Sequence, residues 1–188
     1  MRKLAVFYPG IGYTVDKPLM YYSRKLAMSL GYEIRLLPYG GFPEKVKGDR
    51  SKMRKAFEIA LSQSQAMLSD LNFGDYEEIL FIGKSVGTVA AAAIAAQSAQ
   101  KDKIRRIFYT PLEEIFSFPL EDTVVFTGLG DPWVGKEGSR IPELCREQSI
   151  ACYTYQNADH SLETGDIQTD LEHMKQIIQK TREFILNS

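Results

Sequence analysis

An α/β fold, built as a three-layer α/β/α sandwich around six mostly parallel strands, is what the sequence predicts. Two observations carry this. Apolar runs of strand length alternate with longer segments at helical period, and parallel strands need such crossovers, whose right-handed turn places the helices outside the sheet. The size is the second: 188 residues, 44% hydrophobic and 25% charged, suit one domain spanning residues 1–188 that buries about two-thirds of its unfolded surface.

In chain order, KLAVFYP (3–9) reads as a strand, LMYYSRKLAMSL (19–30) as a helix closed by Gly31, and YEIRLLPY (32–39) as a second strand. SKMRKAFEIALSQSQAMLSDL (51–71) has the period of a long amphipathic helix. EEILFIG (77–83) is a third strand and SVGTVAAAAIAAQSAQ (85–100) its following helix. Strands at 103–111 and 122–131, a helix at 140–150, a strand at 151–157 and a helix from about Asp170 to Leu186 complete the series. The Gly/Pro/Lys stretch 39–49 reads as an exposed loop, and no repeat or interdomain linker interrupts the pattern.

Charge argues against two classes of partner. With 23 basic and 24 acidic residues and no long run of one sign, neither a nucleic-acid surface nor a polybasic membrane anchor is expected. Cys145 and Cys152 fit no zinc or redox spacing and read as small hydrophobes. The apolar run after Met1-Arg2-Lys3 ends at Pro9-Gly10, too soon for a signal-peptide core or a membrane span, so a reduced, cytoplasmic setting is expected.

The chemistry centres on Gly83-Lys84-Ser85-Val86-Gly87, at the junction of a predicted strand and helix. Ligands of open α/β sheets bind beyond the carboxyl ends of the strands, where Ser85 stands. A G-x-S-x-G there is a nucleophile elbow: the turn is tight, so residues two before and two after the serine must be small. The alanines that follow let the helix approach the sheet, and its amino-terminal dipole favours negative charge at the reaction centre. A phosphate loop is the rival reading of "GKS". It fails because Glu78 occupies the position where that motif needs its first glycine.

A serine nucleophile needs a base, and the chain has two histidines. His173 lies inside the last amphipathic helix, where a structural role is usual. His160, in NADHSLE after the strand 151–157, lies at a carboxyl end and can lean over the sheet toward Ser85. Asp131, in FTGLGDPWVG after the strand 122–128, is the acid expected to orient it. Asp159 is the rival acid, but sequence neighbours on an extended loop point apart, and Asp166 lies further on. Three suitable residues at three carboxyl-end loops, in the order Ser, Asp, His, make a stronger signal than any one motif.

FIGKSVGT, GLGDPWV and NADHSLE each resemble signature segments of the α/β-hydrolase superfamily, specifically small lidless members such as dienelactone hydrolases and carboxylesterases. AVFYPGIGYT resembles that family's oxyanion loop, with Pro9-Gly10 where a His-Gly pair is common. The resemblance implies a trimmed version of the fold with strand order 2-1-3-4-5-6, and oxyanion donors at the backbone N–H of Val86 and of Ile11 or Gly12. It implies acyl transfer: Ser85 attacks a carbonyl with His160 as base, and water releases the acyl-enzyme. No cofactor or metal is required, and the His160-x-x-Glu163 pattern lacks the third ligand of a zinc site.

Larger members of that family insert a helical lid after the strand equivalent to 103–109. Here only TPLEEIFSFPLED (110–122) connects onward, so a small-molecule acyl substrate at an open site is expected. Tyr13, Trp133, Phe116 and Phe118 are candidate pocket walls. Lys84 is read either as meeting an acidic substrate or as solvated. A monomer or a homodimer fits equally. The alternatives to an enzyme are a binding or scaffold protein of the same fold with little turnover, and a flavodoxin-like nucleotide binder, which lacks its phosphate loop here.

Overall fold

The apolar runs pair as parallel strands: β1 (Lys3–Tyr8), β2 (Glu33–Leu36), β3 (Glu78–Lys84), β4 (Ile104–Tyr109), β5 (Thr123–Gly128) and β6 (Ala151–Tyr155). This computed structural model describes residues 2–133 and 139–187, and Val134, the last residue of GLGDPWV, lies outside them. All five pairings are parallel, in the order β2-β1-β3-β4-β5-β6.

Strand periodicity divides the core into two layers. Leu4, Val6, Tyr8, Ile79, Phe81 and Phe108 point to one face, covered by α2 (Arg50–Leu68), α3 (Val86–Gln97) and α4 (Ile141–Glu147). Ala5, Phe7, Leu80, Ile82, Tyr109 and Phe126 point to the other, covered by α1 (Pro18–Ser29) and α5 (Ile167–Leu186). The crossover rule explains the division. The chain moves one way along the sheet from β1 to β2 and the opposite way thereafter, so crossovers of one hand must lie on opposite faces. That reversal opens a crevice beyond the carboxyl ends of β1 and β3.

The α3 helix has nine buried residues among its twelve, as a helix apolar all round must. Its small side chains let it lie against β3, β1 and β4 on one side and α2 on the other.

Several elements are shorter than their apolar runs. β2 stops at Leu36: the Leu37 N–H still reaches the Phe7 carbonyl, and the chain then leaves the sheet at Pro38. β5 ends at Gly128, where the Leu129 N–H turns to the Tyr155 carbonyl. At its other end, α5 begins three residues before Asp170, because the Asp166 side chain caps it by accepting from the Thr169 N–H at 2.9 Å. Cys145 is buried on α4 and Cys152 half-buried on β6, both as free thiols. Among the described residues no helix is long and apolar enough to cross a membrane.

Candidate active site

Ser85 joins β3 to α3 with φ 54° and ψ −124°, a conformation side chains other than glycine rarely hold. Such a residue costs of order 1–3 kcal/mol and persists only where its surroundings enforce it. Here the neighbours do so by close approach. A Cβ on Gly83 would stand 2.9 Å from Thr88 Cα, and one on Gly87 would stand 2.2 Å from the Tyr8 carbonyl oxygen and 2.4 Å from that of Pro9. The Ser85 carbonyl is held from the helix side, accepting from the Thr88 N–H at 2.9 Å and from Thr88 Oγ1 at 2.6 Å.

The serine hydroxyl meets His160. Nε2 of that ring lies 2.8 Å from Ser85 Oγ, and Nδ1 lies 2.6 Å from Asp131 Oδ2. The second carboxylate oxygen of Asp131 accepts from the Trp133 N–H at 2.8 Å, and the Trp133 ring stacks on His160 with centroids 5.0 Å apart. One residue thus fixes both the carboxylate and the imidazole face. The loops carrying Asp131 and His160 are themselves joined: the Gly130 N–H donates to the Ala158 carbonyl at 3.0 Å, and Thr110 Oγ1 donates to the His160 carbonyl at 3.0 Å.

Asp159 does not compete for the imidazole. Its Oδ1 accepts from the Ser161 and Glu163 N–H groups, and the Glu163 carbonyl accepts from the Asp159 N–H, closing the loop on itself. Glu163 therefore supports the histidine loop through its backbone. His173 packs edge-on against Tyr155, with centroids 4.9 Å apart, on the α5 side of the sheet. Among the described residues no three His, Cys, Asp or Glu side chains gather as a metal site would require.

The β1 loop closes against the serine. A Cβ on Gly10 would lie 3.2 Å from Ser85 Cβ, and the Gly10 N–H folds back to the Tyr13 carbonyl at 3.1 Å. Among the described residues, Ile11 and Gly12 donate to no backbone carbonyl. Val86 is the first residue of α3, so its N–H has no acceptor one turn earlier in the helix.

Lys84 is neither solvated nor placed at the mouth of the site: it is 1% exposed. Its stem runs along Gly10 and its Nζ sits 4.9 Å above the Tyr13 ring. Burial pushes its pKa down to about 7, against the upward pull of Asp131 and Asp159. His160 is held below the ordinary imidazole value, chiefly by burial; the Asp131 hydrogen bond opposes this and the Lys84 charge adds to it.

Asp131, Trp133 and His160 line a cleft of about 360 Å³ together with Met53, Leu112 and Ile141. The other three pocket candidates lie elsewhere. Tyr13 is buried in the α1 layer, its hydroxyl accepting from the Leu19 N–H. Phe116 packs against the opposite layer. Phe118 lines an adjoining groove. The facing of Tyr13 and Phe116 was not legible, because Tyr13 is drawn inward by the uncapped start of α1 and Phe116 by the 3-10 turn Glu113–Ser117.

No family model matches the chain, and no curated protein matches it by sequence. Solved structures do. A candidate hydrolase of the α/β superfamily from Xanthomonas campestris pv. campestris superposes with a TM-score of 0.67 at 13% identity, covering 100% of both chains. The fold is that of the α/β hydrolases. A dienelactone hydrolase from Anabaena variabilis gives 0.68 at 16% identity over 98% of this chain and 86% of the other. A lidless α/β serine hydrolase, also from Xanthomonas campestris, gives 0.62 at 12% identity over 99% and 83%. On this α/β-hydrolase scaffold Ser85 stands at the carboxyl end of β3, in the crevice where the sheet order reverses.

Proposed function

We propose that the protein is a serine hydrolase that cleaves a small or exposed acyl ester through an acyl-enzyme. The observation that carries the reading is the unbroken hydrogen-bonded line from Ser85 Oγ through His160 to Asp131, with the serine held at a strained elbow. A solvated or merely structural serine has no need of that strain or of that partner.

In this reading His160 Nε2 takes the Ser85 proton as Oγ attacks the ester carbonyl, and Asp131 keeps the ring in the tautomer with hydrogen on Nδ1. The tetrahedral oxyanion forms against the N–H of Val86 and one from Ile11 or Gly12, each donor worth about 3 kcal/mol of barrier. His160 then gives its proton to the departing alcohol. Water, activated by the same imidazole, releases the acid. Hydrolase-type structures at this level of similarity support the scaffold, while the Ser85 geometry supports the chemistry.

A fluorophosphonate probe tests this directly. Stoichiometric mass gain at Ser85, abolished by Ser85→Ala, is the expected result; a folded protein whose Ser85 stays unlabelled would instead fit a binding or scaffold protein.

The pH dependence follows from the His160 environment. The base works as neutral imidazole, and a pKa below the ordinary 6.5 lets the rate reach its plateau at lower pH than an exposed histidine would allow. Removing the nearby cation makes imidazolium easier to form. Lys84→Met is therefore expected to shift the midpoint of kcat/KM against pH upward, and an unmoved midpoint would show that the lysine charge does not reach the ring.

A further inference from the structure

A second concavity of about 530 Å³ adjoins the cleft and shares Arg50, Met53, Leu112 and Glu114 with it. Its wall is apolar: Met53 and Phe57 stand one turn apart on α2, Val89 rises from α3, and Leu112 and Phe118 flank the 3-10 turn between them. Val89 is four residues beyond Ser85, just over one helical turn or about 6 Å along α3. Val89 thus carries the groove wall to about one helical turn from the nucleophile. Its charged rim selects no ionic head, since Arg54 is paired with Glu58 and Arg50 stands with Glu114, of opposite sign.

We infer that this groove takes the acyl chain of the substrate, an ester of an uncharged apolar acyl group of medium length; the inference rests on Ser85 being the nucleophile. The direction follows from the proton. As the tetrahedral intermediate collapses, the ester C–O bond breaks and the alcohol oxygen takes the proton held on His160 Nε2. The alcohol thus leaves along the cleft that His160 lines. The acyl carbon stays bonded to Ser85 Oγ at the head of α3 until water displaces it. His160 does not line the groove, and Val89 of α3 does. The groove lies on the acyl side.

The test compares p-nitrophenyl acetate, p-nitrophenyl octanoate and octyl acetate on the wild type, Phe57→Asp and Ser117→Trp. Both substitutions fall on part-exposed or exposed groove positions, one adding charge and the other bulk. A fully buried methylene is worth about fourfold in affinity. The wild type should prefer octanoate over acetate by roughly tenfold or more in kcat/KM, well within that bound. Each variant should cut that ratio by roughly tenfold, the scale of a pocket that no longer holds the chain. Lengthening the alcohol in octyl acetate should bring no gain that either variant removes.

A wild type that cleaves acetate through Ser85 but gains nothing from octanoate overturns the groove assignment and leaves the nucleophile standing. So does a ratio indifferent to both variants, or a preference that follows the alcohol chain. Absence of both ester cleavage and fluorophosphonate labelling overturns the two readings together.

Discussion

Ser85→Ala and His160→Ala are each expected to lower kcat on p-nitrophenyl acetate by roughly 10⁴ or more, and the double variant to lose little beyond either one. The reason is geometric. With Nε2 2.8 Å from Oγ, every step proposed for the imidazole passes through the Ser85 acyl-enzyme, so without the serine it would have nothing to activate, and without it the serine would stay a weak nucleophile. Asp131→Asn should fall by about 10⁴, since an amide at the Oδ2 position no longer fixes hydrogen on Nδ1. A double variant whose loss equals the product of the two single losses would mean that Ser85 and His160 act separately. Full esterase activity in Ser85→Ala would end the proposal.

The strand positions and the Ser, Asp, His constellation were legible because each is written locally, whereas the sheet order came only with the resemblance to the hydrolase fold. Every strand is an apolar run ended by turn residues, and every candidate side chain follows one such run. What escaped was set by partners distant in sequence. Lys84 reads either as solvated or as meeting an acidic substrate because lysines are usually exposed, yet the Gly10 loop and the Tyr13 ring, some seventy positions upstream, enclose it. Thr110 carries no motif and Trp133 reads only as a pocket wall, and their further contacts are a hydroxyl reaching the His160 carbonyl and a backbone N–H reaching Asp131. Tyr13 and Phe116, which line neither concavity, differ for a related reason: facing depends on which side of a loop the backbone presents, and composition is blind to that. Asp166, weighed only as a distant acid, turned out to start a helix, a cap signature of Asp followed by Thr169 that the polar first turn concealed.

Gly87→Ala is expected to destabilise the fold strongly, and well beyond Gly12→Ala in the β1 loop beside it. At Gly12 the cost is modest: with φ 69° and nothing within 4 Å of an added Cβ, it would lose only the roughly 1–2 kcal/mol that a left-handed conformation costs an alanine. At Gly87 the obstruction is backbone. The Tyr8 and Pro9 carbonyl oxygens would lie 2.2 and 2.4 Å from the new carbon, and neither can rotate away. The start of α3 must therefore move off the end of β1, or the β1 loop must lift. Overpacking of this kind costs about 1–3 kcal/mol and occasionally more, and a clash with two carbonyls belongs at the upper end. For a chain of this size about 3 kcal/mol lowers Tm by roughly 6–12 °C. The same displacement separates the Val86 N–H from the Ile11 and Gly12 amides, so activity should fall in the fraction that remains folded. Thermal unfolding and p-nitrophenyl acetate turnover, measured on Gly87→Ala and Gly12→Ala side by side, check both halves: equal Tm values for the two variants would show that α3 and the β1 loop are not in the close contact on which the elbow depends.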